Sequence, residues 1–404
     1  MKPSLAAVKA CLDRADNFYL YDEAILHRKA TALREAFPQI CFLYSIKCNP
    51  HPHVLRSVFA CGFGADAASA GEVALARQAG LAANRIYYSA PGKTPADIAQ
   101  TIDQAVLIAD SLAEVHRIQQ AAAERGIAVP IGLRINPGFT FDGEGGAPSK
   151  FGIDEDQARE FLRQNDCKNV QLTGIHVHLK SQELDAKVLS AYYRRIFALA
   201  ETFEDLCGGL DYLNMGSGMG IPYTAADKPL DLDALSAAVK EDLAKYQRKH
   251  PRARVLIEVG RYVTCESGVY VTTVLDRKVS HGKTYLILKN TLNGFLRPSL
   301  AQLIARYAPE GSPPGSEPLF TAKDAFAYLT LKEGQAAEET VTLVGNLCTA
   351  ADIVAENIAL PHLDCGDAIV ITNAGSYGAV LSPMQFSTQP QPKAFFLTRT
   401  GELL

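Results

Sequence analysis

From residue 38 onward, short apolar runs alternate with amphipathic stretches. The runs Cys41–Ser45, Gly64–Ala67, Ile86–Ser89, Ala105–Ala109, Ile131–Ile135, Leu172–Val177, Leu210–Met215 and Val255–Val259 read as short buried strands. Between most of them lies a helical pattern, as at Pro52–Ala60, Ser69–Ala79, Thr94–Asp103, Leu112–Arg125 and Asp156–Arg163. Eight strand–helix units over roughly 230 residues predict an α/β fold built as a (β/α)8 TIM-like barrel. A doubly wound open sheet is the rival that periodicity leaves standing. Upstream, residues 1–17 read as helical and surface-like, Phe18-Tyr19-Leu20-Tyr21 as an aromatic strand, and 22–36 as an amphipathic helix.

After about residue 265 the period changes. Gly268–Leu275, Thr284–Leu288, Ala327–Leu331, Glu339–Val344 and Ala368–Ala374 read as strands with turns between them and few helices. Residues 308–318 carry Pro309, Gly311, Pro313, Pro314, Gly315 and Pro318, a turn-rich surface loop. The expected organisation is an N-terminal segment 1–28 joining the β domain, a barrel over 29–265, and a C-terminal mostly-β barrel or sandwich domain over 266–404.

Composition narrows function by exclusion. At 404 residues the chain allows two or three domains. A net charge of -4 offers no basic field, so nucleic acid is not an expected partner. No apolar run reaches the length of a signal peptide or a membrane span, which predicts a cytoplasmic protein with no membrane partner. The nine cysteines are scattered without a Cys-x-x-Cys pair, so no metal site or disulfide framework is expected.

In a (β/α)8 barrel the chemistry collects where strands end. The first strand ends at Lys47, where Asn49-Pro50 turns the chain. Burial there disfavours the ammonium and predicts a lowered pKa, as a Schiff-base lysine requires. Later strand ends offer Asp66, Arg134, His176, His178 and Ser181, then Gly216-Ser217-Gly218, and finally Glu258, Gly260 and Arg261. The glycine-rich turn would present free backbone N–H groups to a phosphate. Glu258 would accept a hydrogen bond from a protonated pyridine nitrogen. His176 and His178 lie on one side of their strand, and one would stack on a ring. Arg261 would pair with phosphate or carboxylate. Taken singly, each has an ordinary reading: a solvent-reaching lysine, a plain turn, a capping carboxylate, a core histidine. Together at one mouth they spell pyridoxal 5'-phosphate.

The motifs resemble those of the pyridoxal-phosphate decarboxylases of the alanine-racemase-like fold, which include diaminopimelate and ornithine decarboxylases. The resemblance runs from about Tyr19 to Phe386. Tyr44-Ser45-Ile46-Lys47-Cys48-Asn49 is similar to the family's Tyr-Ala-x-Lys-Ala-Asn, which implies that Lys47 carries the cofactor. Gly174-Ile175-His176-Val177-His178-Leu179-Lys180-Ser181-Gln182 resembles Gly-x-His-x-His-x-Gly-Ser-Gln, which implies that His178 stacks on the ring and Ser181 faces the phosphate. Glu258-Val259-Gly260-Arg261 resembles Glu-Pro-Gly-Arg, and Ala374-Gly375-Ser376-Tyr377-Gly378 resembles Ala-Gly-Ala-Tyr-Gly, whose tyrosine touches the phosphate. Cys348 is similar to the cysteine that enters the site from the partner subunit, so a homodimer with shared sites is implied. Cys348 is then the candidate proton donor to the α-carbon.

The departures bear on substrate. Diaminopimelate decarboxylases read Cys-Glu-Ser-x-Asp where this chain has Cys348-Thr349-Ala350-Ala351-Asp352. A neutral threonine cannot pair with a distal ammonium. Asn-Asp-x-x-Arg-Pro-x-x-Tyr becomes Asn293-Gly294-Phe295-Leu296-Arg297-Pro298-Ser299-Leu300-Ala301: Arg297 is kept as a carboxylate binder and the tyrosine is gone. Lys180 replaces a glycine. Arg297, Cys348, Thr349 and Asp352 are the expected substrate residues. The profile, with Val344–Thr349 and Ala90-Pro91-Gly92-Lys93, resembles the siderophore-pathway branch, which acts on citryl-diaminopropionate-type substrates, citryl-serine among the candidates. Rival readings are meso-diaminopimelate decarboxylation, an amino-acid racemase, and a catalytically inactive regulatory binding protein.

Overall fold

A computed structural model describes residues 4–164, 168–307, 324–332 and 338–404. The turn-rich loop expected at 308–318 lies outside the described residues. The chain divides into two compact units: Lys29–Ile221 with Pro229–Gly260, and Met1–Arg28 with Pro222–Lys228 and Arg261–Leu404. The division falls at Gly260/Arg261 rather than at residue 265. The segment Pro222–Lys228, which the strand–helix rhythm places in the barrel, belongs with the second unit.

Strand β1 (Phe18–Asp22) precedes the first unit, whose strands are β2 (Cys41–Ser45), β3 (Gly64–Ala67), β4 (Ile86–Tyr88), β5 (Val106–Ala109), β6 (Val129–Asn136), the two-residue β7 (Ile153–Asp154), β8 (Val170–His176), β9 (Tyr212–Asn214) and β10 (Arg254–Val259). All pair in parallel, in the order β5-β4-β3-β2-β10-β9-β8-β6. β5 also pairs with β6, Leu107 opposite Ile131, and this closes the sheet into a barrel and removes the open-sheet rival. The local reason for the strand–helix rhythm lies in the caps. Ser69, Thr94, Ser111, Asp185 and Asp231 each accept a backbone N–H at the start of a helix, and Thr94 forms a full capping box with Asp97.

Side chains, not a pore, fill the barrel. Leu43, Tyr87, Ile108, Tyr212 and Leu256 form a packed layer. The Tyr212 ring lies against Gly132 and Gly174, where any Cβ would overlap it, so these two strand positions require glycine. Outside, helix Ala186–Cys207 buries Leu189, Tyr192, Tyr193, Ile196, Phe197, Ala200 and Phe203 along one face. Each large apolar side chain buried this way contributes about 1.5–3 kcal/mol.

The second unit is mostly β. Its later strands are β11 (Gly268–Ser280), β12 (Lys283–Leu288), β13 (Tyr328–Thr330), β14 (Glu338–Gly345), β15 (Ile353–Pro361), β16 (Ala368–Ile371) and β17 (Lys393–Leu397). The sheet runs β13-β16-β11-β12-β14-β15, and β1 joins it between β11, antiparallel, and β17, parallel. The N-terminal helix Leu5–Leu12 is not surface-like. Ala7, Val8 and Cys11 are buried in the core with Phe18, Leu20, Val269, Val370 and Phe395. The apolar pattern did not single out β15, β17 or the helix Leu296–Tyr307. Among the described residues no helix is long and apolar enough to cross a membrane.

Candidate active site

The barrel unit gathers charge at the C-terminal strand ends. β2 ends at Ser45, and Lys47 follows in a single helical turn, Ile46–Cys48. Its ammonium donates to Asp66 Oδ2 at 3.0 Å. Asp66 is 1% exposed and also accepts hydroxyl hydrogens from Ser45 at 2.8 Å and Ser89 at 3.1 Å. Neighbouring strands thus aim a fixed carboxylate at the lysine. The Lys47 side chain keeps 44% of its surface open. Burial pulls its pKa down. Attraction to Asp66 and Glu258, with the Asp66 hydrogen bond, outweighs burial and holds the pKa above the ordinary lysine value. This corrects the lowered pKa expected from the sequence: the strand end is less dry than it is acidic.

Glu258, at the end of β10, is 3% exposed. Asn214 donates to its Oε1 at 2.9 Å, and His176 Nε2 lies 3.2 Å from the same oxygen. Burial alone would raise its pKa, but attraction to His176 and Lys47 holds it well below the usual carboxylate range. His178 goes the other way. Burial first, then the Arg134 and Lys47 charges, push its pKa down to about 3 against the opposing pull of Glu258. The imidazole is neutral at any ordinary pH.

The glycine turn differs from expectation. Gly216 N–H donates to Asn214 Oδ1 at 3.0 Å, and Ser217 N–H donates to His178 Nδ1 at 3.1 Å. Two of the expected free amides therefore orient side chains instead. Gly216 has φ +64°, and a Cβ there would press on Val177 O and the His178 ring. Ser181 Oγ sits 3.4 Å from His178 Nε2. Gly260 leaves room for Cys48, whose sulfur a Cβ would overlap. Arg134 approaches Asp110 at 3.6 Å, donates to His178 O at 3.4 Å and lies over the Phe151 ring. Lys180 stands 5.1 Å above the Phe141 ring and 3.4 Å from Glu183. Lys93, from the Ala90–Lys93 motif, is fully buried. It pairs with Glu114 at 2.5 Å and donates to Ala90 O and Ile108 O, an internal strut of the barrel.

The second unit holds the other expected residues. Arg297 is 3% exposed. It donates to Tyr223 Oη at 3.0 Å and lies over the Tyr223 and Phe326 rings. Arg261 lies 5.0 Å above the Tyr377 ring, and Tyr377 has φ +53°, a left-handed conformation seldom kept by a bulky residue. Cys348 is exposed, 4.0 Å from Ser387 Oγ. Thr349 Oγ1 accepts the Ala351 N–H at 3.3 Å. Asp352, expected to face substrate, is 3% exposed and commits its carboxylate to Thr291, Leu292 N–H and Leu347 N–H, so it ties two loops together. Sequence reasoning passed over Ser45, Ser89, Asn214 and Tyr223. Asn214, just before the glycine turn, was the one with a local signal.

A barrel whose strands present an amine, a buried carboxylate, a neutral imidazole and a glycine turn is the setting of a pyridoxal enzyme. The model of the pyridoxal-dependent decarboxylase family, pyridoxal binding domain, matches residues 23–265. The chain belongs to this family: it is a carboxy-lyase that acts on an amino-acid type of substrate, and its cofactor is pyridoxal phosphate. It is 30% identical to L-glutamyl-[BtrI acyl-carrier protein] decarboxylase of Niallia circulans, over 93% of this chain and 87% of the relative. It is 27% identical to 2-[(L-alanin-3-ylcarbamoyl)methyl]-2-hydroxybutanedioate decarboxylase of Staphylococcus aureus, over 95% and 94%. Among solved structures, diaminopimelate decarboxylase of Helicobacter pylori complexed with L-lysine superposes with a TM-score of 0.80 at 25% identity, over 96% of this chain and 93% of that one.

The barrel fits the cofactor by its own chemistry. Glu258 is a buried anion suited to a protonated ring nitrogen, and neutral His178 adds no competing charge beside it. A Cβ at Gly216 would close the turn they share.

Proposed function

We propose that this chain decarboxylates an L-amino-acid head whose distal end is acylated and carries further carboxylates, of the citryl-diaminopropionate or citryl-serine kind, in carboxylate-siderophore biosynthesis. The observation that carries this reading is Thr349. Its neutral hydroxyl caps a turn through the Ala351 N–H, so the position that would meet a distal ammonium offers no anion. The buried Arg297 and the half-buried Lys180 supply positive charge for substrate carboxylates. The name of the Staphylococcus aureus relative supports it, since it joins an alanine residue through an amide to a hydroxybutanedioate, and that of the Niallia circulans relative joins a glutamyl residue to a carrier protein.

In this reading Lys47 holds the cofactor through its amine, and Glu258 keeps a proton on the ring nitrogen. His178 covers a ring face. Ser181, the Gly216-Ser217-Gly218 turn, Gly260, Arg261 and Tyr377 hold the phosphate, with the Ser217 hydroxyl and the Gly218 amide as donors of the turn. When bound, pyridoxal phosphate supplies the electron sink for the pair left on the α-carbon as CO2 departs. Cys348 of a second copy gives its thiol proton to that carbon, so the working form is a homodimer.

The test is CO2 release by the cofactor-loaded enzyme from meso-diaminopimelate, ornithine, lysine, citryl-diaminopropionate and citryl-serine. Turnover confined to citryl substrates supports the reading. Turnover of diaminopimelate alone overturns the substrate while leaving the chemistry intact. A companion variant, Thr349→Glu, is expected to move kcat/KM towards diaminopimelate by about ten- to a hundred-fold. An unmoved ratio separates Thr349 from substrate choice.

A further inference from the structure

The N-terminal ends of the barrel strands carry a second cluster of charge, at the opposite end of the strands from Lys47. Arg34 lies on helix Glu23–Ala36, Arg85 ends the turn before β4, and Arg254 opens β10. They line one cleft of about 400 Å3, with Asn84 and Tyr87 also in its wall. The strands that frame it, β4, β3, β2 and β10, are consecutive neighbours in the barrel.

How these guanidiniums are held is informative. Arg34 Nη1 donates to Cys61 O at 2.8 Å. Arg85 Nη2 donates to Gly62 O at 2.8 Å and Phe63 O at 2.9 Å. Three successive carbonyls therefore fix two arginines side by side. Gly62 has φ +90°, and a Cβ there would touch the Arg34 guanidinium at 3.5 Å. Arg254 Nη2 donates to Tyr87 Oη at 2.8 Å. Carbonyl and phenol oxygens set positions but leave the charge unneutralised. Among the described residues, none of the three arginines has a carboxylate within ion-pair distance. The neighbouring Arg252 differs, since it has Asp211 at 3.1 Å. Tyr87 is 1% exposed, and its own hydroxyl hydrogen has no acceptor among the described residues. A buried phenol with a donor to spare and three ordered cations without an anion point the same way.

We infer that this cleft binds a small multivalent oxyanion, a phosphate or a polycarboxylate, at a site separate from the decarboxylation chemistry. Its volume falls within the range of small-ligand clefts. Two fixed, planar guanidiniums suit bidentate pairing with such an anion. The site goes beyond the proposed substrate and does not depend on it.

Isothermal titration of the holoenzyme at low ionic strength with inorganic phosphate and, separately, with citrate tests the inference. Saturable binding of either anion is expected. Affinity should fall at least about tenfold in Arg85→Gln, and again with rising salt. Asn84→Asp places an acid in the cleft wall without removing a side-chain contact, and it should weaken the same binding by a similar factor. Phosphate binding more tightly than citrate identifies a phosphate site, and the reverse identifies a polycarboxylate site. No saturable binding, or binding undiminished in both variants, overturns the inference.

Discussion

At the C-terminal ends of the barrel strands, Lys47 meets Asp66 at 3.0 Å and His176 approaches Glu258 at 3.2 Å. At the N-terminal ends, Arg34, Arg85 and Arg254 meet carbonyls and a phenol. One end pairs charge with charge. The other orders its cations and leaves their charge available. The contrast separates two things a polar contact does. A carboxylate changes the protonation of its partner, while a carbonyl mainly sets geometry. Chemistry that turns on which group holds a proton needs the first arrangement; anion capture needs the second.

The largest expected effect comes from breaking the acidic side of this contrast. Glu258→Gln keeps the shape but removes the anion that, in the proposed function, holds a ring proton. Its kcat for decarboxylation should fall about 10²–10³-fold with little change in melting temperature. Steady-state kinetics on the holoenzyme check this, and a fall of less than tenfold would remove Glu258 from the chemistry.

Asp66→Asn comes next. It removes the main attraction that raises the Lys47 pKa and leaves burial in control, so the pKa should drop. In the proposed function only the free Lys47 amine captures the cofactor. Its rate of uptake by the apoenzyme should therefore reach its plateau at lower pH in the variant. Stopped-flow absorbance across a pH series reads the shift directly. An unchanged profile would mean that Asp66 orients Lys47 without tuning it.

A smaller effect concerns acid stability. His178 titrates near 3 when folded, against 6.5 for an ordinary histidine. Between those values the unfolded chain binds more protons at this residue, so stability falls as the pH drops through that window. His178→Gln should flatten this part of the acid limb in urea melts of the apoenzyme. The floor arginines lie at the opposite end of the barrel strands from His178, so Arg85→Gln should leave the slope unchanged.

What was legible in the sequence follows the same division. Strand ends at Lys47, His178 and Glu258 are readable because apolar runs, caps and Asn-Pro or Gly-rich turns are local signals. The sign of the Lys47 pKa was not, because Asp66 and Glu258 reach it from other strands. Nor was the occupation of the Gly216 and Ser217 amides, since Asn214 and His178 claim them only once the barrel closes. Pro222–Lys228 carries no pattern announcing that it packs with the β unit and holds Tyr223 against Arg297. The helix Leu5–Leu12 looked exposed because its small residues, Ala7 and Cys11, make a modest apolar stripe that the sheet nevertheless covers. The arginine floor was invisible for the plainest reason: its members lie in three distant segments, each an ordinary basic residue in its own context.

The subtlest test makes the floor resemble the mouth. Asn84 precedes Arg85 in the cleft wall and is exposed, so a carboxylate fits there without desolvation. Asn84→Asp would give the unneutralised guanidiniums an internal partner. An exposed pair of this kind contributes about 0.2–1 kcal/mol, so the melting temperature at low salt should rise by a degree or two. The gain should vanish as salt is raised through a Debye length comparable to the spacing of the charges. If the variant instead melts at or below the parent temperature at low salt, the three arginines already have their charge answered, and the contrast between the two ends of the barrel disappears.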